Sequence, residues 1–141
     1  MELVVDANIL LAALLKDAVT RELLVDSRLR LYAPEYLVSE TLHHLKADAD
    51  LRRRIPLQTA ELQELFYQLT QEIETVPRKL YISQLAHALK IAPHRQDAHY
   101  LALALVFNMP VWSNDRGMCD QSEVKVYKTG EIIAMLGRRG N

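Results

Sequence analysis

The stretch LVVDAN, residues 3–8, is a short apolar run, partly β-branched, in which apolar and polar side chains do not alternate. This pattern is typical of a strand that is covered on both faces, as the strands of a parallel sheet are. We therefore predict a central strand over residues 2–6. Asp6 places a carboxylate inside this apolar run, and burying a carboxylate without a partner is costly in free energy. The sequence thus favours a functional role for Asp6 over a structural one.

Outward from this strand, strand-like and helical stretches alternate along the chain. Further strands are predicted over residues 29–33, 72–76, 111–113 and 124–127. Helices are predicted over residues 8–27 with an interruption near 16–17, 35–47, 58–69, 81–92, 97–109 and 129–136. The remaining segments are predicted as a charged connection, 48–56, a break at 93–96, a short polar turn after residue 113 and a frayed tail, 137–141. The alternation favours an α/β fold, a three-layer α/β/α sandwich around a mainly parallel sheet, and we expect residues 1–141 to form one domain.

The composition narrows the classes of function. The formal net charge is −1, so no overall basic field attracts nucleic acid or an anionic membrane, and such binding requires a local patch or bound metal. The single cysteine, Cys119, excludes an intrachain disulfide and the usual structural zinc sites, and fits a reducing compartment. The opening MELVVDANILLAALLKD resembles neither a signal peptide nor a membrane span, because acidic residues interrupt it. We therefore expect a cytoplasmic protein.

Acidic residues fall where the predicted strands end and helices begin. Asp6 ends the first strand, Asp115 follows the strand of VWSND, and Asp97 opens a helix. Because the carboxyl ends of parallel strands share one edge of a sheet, we expect these carboxylates to face one cleft. Glu40, one turn into the helix after the second strand, could join them. Converging carboxylates repel one another unless a cation neutralises them, and an all-oxygen donor set favours Mg²⁺ or Mn²⁺ over zinc.

Each of these acids also has a structural explanation. Asp115 could serve only as a turn or helix-cap residue, and we expect Asp97 to cap its helix as well as to serve the site. Glu40 lies off the apolar stripe of its predicted helix, and an exposed glutamate is ordinary at such a position. Glu35 is the nearest alternative to Glu40 as the fourth acid of the site. The pattern of residues alone leaves these choices open.

Taken together, four motifs resemble those of a PIN domain in order and approximate spacing. They are VVDANIL at 4–10, the glutamate of APEYLVSETL at 33–42, DAHYLALAL at 97–105 and VWSNDRGM at 111–118. The resemblance covers essentially the whole chain, and the PIN domain is a small metal-dependent ribonuclease fold that includes VapC-type toxins. Carried over position by position, the family's acidic cluster falls on Asp6, Glu40, Asp97 and Asp115. The resemblance implies that these residues hold the metal.

The resemblance also implies roles for residues beside the cluster. Asn8 matches the asparagine that steadies the first loop, and Ser113 matches the usual Thr or Ser before the final Asn-Asp, although both could simply bond loop backbone. Many relatives carry a second acid two residues after the third carboxylate, where this chain has His99, so the site could hold one ion or two. Arg95, Arg116 and His99 are candidate substrate contacts.

The function that the resemblance implies is hydrolysis of RNA phosphodiester bonds. One or two Mg²⁺ or Mn²⁺ ions held by the acidic cluster would activate water and stabilise charge on the scissile phosphate. The resemblance further implies frequent homodimers. If the chain is the toxin of a type II toxin–antitoxin pair, a small antitoxin protein would cover the cleft.

Other classes of protein with an acidic pocket at the same sheet edge fit less well. A receiver domain requires an acidic neighbour beside Asp6 and a lysine after a late strand, and neither is evident. A haloacid-dehalogenase-like phosphatase requires an aspartate at the position of Asn8. The remaining alternative is a PIN-like module that only binds RNA or protein. The presence of all four acids argues against it, but His99, which stands where many relatives have a further acid, leaves it open.

Overall fold

The computed structural model describes residues 1–15, 17–55 and 59–139. Within these ranges the chain forms a five-stranded sheet in the order β3-β2-β1-β4-β5, and every strand pair is parallel. The strands are β1 Glu2–Val5, β2 Arg30–Pro34, β3 Ile73–Val76, β4 Val111–Trp112 and β5 Val126–Tyr127. The predicted strands are therefore confirmed, and the sheet is wholly parallel in the described residues rather than mainly so.

Helices flank this sheet and confirm the predicted α/β/α sandwich. They are α1 Ala7–Leu14, α2 Ala18–Leu24, α3 Leu37–Ala47, α4 Ala49–Arg54, α5 Thr59–Gln71, α6 Leu85–Ile91, α7 Ala98–Phe107, α8 Arg116–Asp120 and α9 Thr129–Arg139. Short 3₁₀ turns lie at Arg78–Leu80, Ile82–Gln84 and Arg95–Asp97. No helix among the described residues is both long and apolar enough to cross a bilayer.

The centre of the core lies around β1 and α7. Leu3, Val4 and Val5 are fully buried, because β1 is hydrogen-bonded between β2 and β4 and covered by helices. Helix α7 packs against β1 and β2 and is apolar on nearly all sides, as a helix buried all round must be. It ends at Asn108, whose left-handed backbone stops the helix before Pro110.

Four segments differ from the sequence predictions. Helix α8 lies where the sequence predicts only a short polar turn. The predicted charged connection 48–56 contains helix α4, in which the Arg52 N–H donates to the carbonyl of Asp48 (3.0 Å) and arginines occupy the favourable carboxyl end. The predicted tail is partly wrong, since α9 continues through Arg139; residues 140–141 lie outside the described part. The predicted helix over 81–92 begins as 3₁₀ turns and becomes α-helical only at Leu85. The predicted interruption near residues 16–17 is confirmed, because α1 ends at Leu14 and α2 begins at Ala18, whereas the predicted start of α5 at residue 58 lies outside the described residues.

The sheet order brings distant parts of the chain to one point. Strands β2 and β3 lie on one side of β1, and β4 and β5 lie on the other, so the strand order reverses between β1 and β4. Ligands of open parallel sheets bind at such a point, beyond the carboxyl ends of the strands. The Asp6 N–H donates to the carbonyl of Trp112 at 3.1 Å, which sets the residue after β1 beside the end of β4. The side chains that follow both strands therefore lie next to each other.

Candidate functional site

Asp6 and Ser113 form the centre of the site. The Asp6 carboxylate is only 2% exposed, and Ser113, fully buried, donates its hydroxyl to Asp6 Oδ2 at 2.7 Å. Asp6 precedes α1 but does not cap it with its side chain. The backbone of Asn8 lowers the pKa of the Asp6 carboxyl, while the Asn8 side chain is exposed. The Ser113 side chain thus contacts Asp6 directly, whereas at Asn8 it is the backbone that acts on the carboxyl.

Asp97 reaches the same place from the 3₁₀ turn before α7. The expectation that its side chain caps α7 is wrong: no cap hydrogen bond forms. The reason is the helical backbone of Asp97 (φ −71°, ψ −18°), since a capping side chain requires a more extended conformation. Its Oδ2 is buried and has no hydrogen-bond partner within the described part of the chain. This oxygen remains available to a ligand.

Asp115 lies at the amino end of α8 and caps it. The N–H of Gly117 donates to Asp115 Oδ1 at 3.2 Å, and the N–H of Asp115 itself donates to Ser113 Oγ at 3.1 Å. The turn is close-packed, because a Cβ on Gly117 would lie 2.9 Å from Cβ of Pro93. Ser113 therefore joins two of the acids, one through its hydroxyl proton and the other through its oxygen.

Glu40 projects from the first turn of α3. The Tyr100 hydroxyl donates to Glu40 Oε2 at 2.7 Å, and His44 Nε2 lies 3.9 Å from Oε1. The Glu40 side chain is 12% exposed, whereas Glu35, the alternative left open by the sequence, is an exposed residue. Burial raises the pKa of Glu40 and the Tyr100 hydrogen bond opposes that rise; the charge of Asp6 raises it further. Glu40 is thus within electrostatic reach of Asp6.

The aspartates also act on one another electrostatically. Burial raises the pKa of Asp6 from 3.8 to about 6, the Ser113 hydrogen bond opposes this rise, and the charges of Asp97 and Asp115 add to it. Burial likewise raises the pKa of Asp97, and the charges of Asp115 and Glu40 add to that rise. The four predicted acids therefore form one electrostatically coupled cluster, termed here the acidic cluster.

Comparison with protein families identifies the chain. A sequence model described as the PIN domain matches residues 4–135. The chain belongs to the PIN domain family. Proteins with PIN domains are generally nucleases that use divalent metal ions, so the family implies a nucleic-acid substrate. A search of curated proteins finds no match to this chain.

The acidic cluster of this PIN domain fits a divalent cation in charge and in donor type. Its donors are carboxylate oxygens, which hard cations prefer, and Asp97 Oδ2 is buried without a partner. Within the described ranges, no group of three or more His, Cys, Asp or Glu side chains is arranged so that it could hold a metal ion.

The candidate substrate contacts occupy different positions around the PIN domain site. Arg95 lines a cavity beside the acidic cluster together with His99, and Arg116 is exposed at the start of α8. The His99 Nδ1 shares a hydrogen bond of 2.9 Å with the Tyr81 hydroxyl, and burial and the nearby Arg78 lower the pKa of His99. The His99 ring is thus held by a hydrogen bond to a tyrosine that lies 18 positions earlier in the chain.

Sequence reasoning missed the tyrosines of the site. Tyr100 holds Glu40, and the pKa of the Tyr36 hydroxyl is raised by burial and by the charges of Glu40 and Asp97. A signal existed for Tyr100, a hydroxyl-bearing residue in an otherwise apolar helix, since a buried tyrosine hydroxyl usually has a partner. No comparable signal marks Tyr36, which precedes α3 among mixed residues.

Proposed function

We propose that this PIN domain is a metal-dependent endoribonuclease that hydrolyses RNA phosphodiester bonds. The acids of the cluster serve as metal ligands: Asp6, Asp97, Asp115 and Glu40. The observation that carries the proposal is the convergence of these carboxylates at the point where the sheet order reverses, with Asp97 Oδ2 buried and unpartnered. A protein that kept these charges together without a cation would be destabilised by them.

Each residue of the site has a distinct task in this proposal. Ser113 fixes the orientation of Asp6 by its hydroxyl and of the Asp115 backbone by its oxygen. The Gly117 N–H holds one oxygen of Asp115, so the carboxylate presents its other oxygen to a ligand. Tyr100 holds one oxygen of Glu40 in the same way. Asp6, Asp115 and Glu40 thus each have one carboxylate oxygen held by a hydrogen bond.

When bound, one or two Mg²⁺ or Mn²⁺ ions would supply a nucleophile at neutral pH and stabilise the charge that develops on the scissile phosphate. Arg95 and Arg116 are exposed next to the turns that carry Asp97 and Asp115, where their charges can attract an anionic backbone. This local placement matters because the chain as a whole has a net charge of only −1.

The likeness to VapC-type toxins extends the proposal. On that basis the chain acts in the cytoplasm as a homodimer and as the toxin of a type II toxin–antitoxin pair, and a small antitoxin covers the acidic cluster. Light scattering of the purified protein tests the homodimer. Growth arrest on induced expression, absent in an Asp6→Asn variant, tests the toxin role.

Cleavage of labelled RNA tests the catalytic proposal. We expect cleavage of single-stranded RNA in Mg²⁺ or Mn²⁺, none in EDTA, and no cleavage of DNA of the same sequence. Asp115→Asn preserves the cap at α8 and should slow cleavage by at least about 100-fold, since even outer partners of metal ligands contribute about 10–100-fold. The matched control is Asp120→Asn, an exposed acid of the same helix, which should leave the rate unchanged.

Two results would contradict the proposal in different ways. Cleavage that persists in EDTA or in Asp115→Asn would remove the acidic cluster from the chemistry. If no RNA is cut while Mg²⁺ still raises the melting temperature, the chain is instead a PIN-like module that binds without hydrolysis.

A further inference from the structure

An open cavity of about 480 Å³ lies beside the acidic cluster. It is lined by Tyr36, His94, Arg95, Gln96 and His99. Two of these residues belong to the 3₁₀ turn that ends in Asp97, so the cavity and the acidic cluster share a wall. Its volume falls within the range of about 300–1,000 Å³ typical of small-ligand sites. A group bound there would lie next to a ligand held by the acids.

The aromatic rings of this cavity are held in place. The Tyr36 and His99 rings lie 4.6 Å apart at 70°, an edge-to-face arrangement, and the Tyr36 hydroxyl donates to the Gln96 carbonyl at 2.7 Å. On the other side, Tyr81 packs edge-on against His99, with ring centroids 5.7 Å apart, and bonds its Nδ1 at 2.9 Å. Both rings are therefore positioned before any ligand binds.

The polar groups around the rings suit a nucleotide better than an apolar ligand. Arg95 is exposed at the mouth of the cavity, and within the described ranges it forms no ion pair, so its charge is available to a phosphate. Gln96 and His94, both exposed, can bond the edges of a base. Aromatic rings beside a free arginine are the usual means of holding an unpaired base.

We propose that this cavity binds one unstacked base of single-stranded RNA against the Tyr36 and His99 rings, with Arg95 on the adjoining phosphate. The proposal rests on the proposed function and adds its substrate class: RNA whose bases are free to leave the stack next to the cleaved bond. A base in a continuous duplex is stacked on both faces and cannot enter.

Variants at His99 separate stacking from structural support. His99→Leu and His99→Phe both remove the hydrogen bond to Tyr81, but only the phenylalanine keeps an aromatic ring. As a matched control, Tyr67→Leu removes a tyrosine that is 60% exposed on α5, away from the cavity. Stacking predicts that His99→Phe binds RNA like the parent protein, that His99→Leu binds about tenfold more weakly and that Tyr67→Leu is unchanged.

The binding assay uses fluorescein-labelled single-stranded RNA in Mg²⁺, with every variant made in an Asp115→Asn background. A series of RNAs carries one abasic ribose at successive positions. For the parent and for His99→Phe, one position should weaken binding about tenfold when its base is absent. For His99→Leu that loss should disappear, because the ring that the base contacts is already gone.

Failure of this inference is distinguishable from failure of the proposed function. Equal binding of all abasic RNAs, or a His99→Phe variant as weak as His99→Leu, would overturn the base site even if the native protein cleaves RNA. If the abasic effect depends on the ring at position 99 but no RNA is cut, the base site stands and the nuclease proposal fails.

Discussion

Replacing Asp6 by asparagine removes a carboxylate whose charged form is disfavoured by burial and by two neighbouring carboxylates. In the folded chain the pKa of Asp6 is raised from 3.8 to about 6. The folded state therefore binds a proton more tightly than the unfolded state, so the free energy of unfolding falls as the pH rises from about 4 to about 6. At about 1.4 kcal/mol per pKa unit, ionised Asp6 destabilises the metal-free fold by about 3 kcal/mol above pH 6.

We therefore expect Asp6→Asn to raise the free energy of unfolding in EDTA at pH 8 by up to about 3 kcal/mol. The gain should vanish near pH 4, where Asp6 is protonated in the folded state. The value is an upper one, because an asparagine side chain offers a single, uncharged acceptor oxygen to the Ser113 hydroxyl, whereas the carboxylate offers two charged ones. Urea denaturation at pH 4, 6 and 8 measures the effect.

Asp26→Asn is a control for which we expect the opposite change in the free energy of unfolding. The Arg28 side chain bonds Asp26 and lowers the pKa of that carboxyl to about 2, so this substitution should destabilise the fold at pH 8 although it changes the net charge equally. Added Mg²⁺ should stabilise the native chain and not Asp6→Asn, which would reverse their order. A variant Asp6→Asn that is less stable than the native chain at pH 8 in EDTA would refute the reasoning and make Asp6 a structural residue.

Three further changes test other parts of the molecule. Asn108→Ala should lower the free energy of unfolding by about 1 kcal/mol in urea denaturation, because residue 108 has φ 52°, whereas Asn108→Gly should not. Gly117→Ala should lower both the melting temperature and RNA cleavage, since its Cβ would meet Pro93 at 2.9 Å; unchanged melting would contradict this close approach. Tyr100→Phe removes the hydrogen bond that lowers the pKa of Glu40, so the acid limb of the pH–rate profile should move to higher pH; an unmoved limb would exclude Glu40 from the chemistry. Tyr100→Phe should also lower the free energy of unfolding, measured by urea denaturation, by about 1–3 kcal/mol.

The parts of the fold that the sequence predicts are those governed by hydrophobic pattern. A continuous apolar run such as LVVDAN has few ways to be buried other than as a central strand, and β1 is found there. Helix α4 has the sequence ADLRRR, which lacks an apolar stripe. The contacts that stabilise it are local, including the pair of Arg53 with Asp50 and the hydrogen bond from the Arg52 N–H to the Asp48 carbonyl, and a search for periodicity does not detect them.

In the site, the sequence draws attention to the acids and to Ser113, but not to the tyrosines that contact Glu40 and His99. Asp6 stands out because a carboxylate in an apolar strand is costly, whatever it contacts. By contrast, the bond from Tyr100 to Glu40 joins residues that are 60 positions apart, and the contact of Tyr81 with His99 depends on how a 3₁₀ turn meets α7. Such pairs are set by tertiary packing, of which one sequence carries no direct record.

The order of the strands in the sheet also affects how the protein folds during its synthesis on the ribosome. Strand β1 is made before both of its neighbours, and one of them, β4, is made only after α7, so one edge of β1 stays open until β4 is made. Ser113 and Asp115 follow β4, and no shorter nascent chain can orient Asp6. A site assembled in this order is incomplete until β4 and the turn after it have left the ribosome, and until then the unpaired edge of β1 invites aggregation.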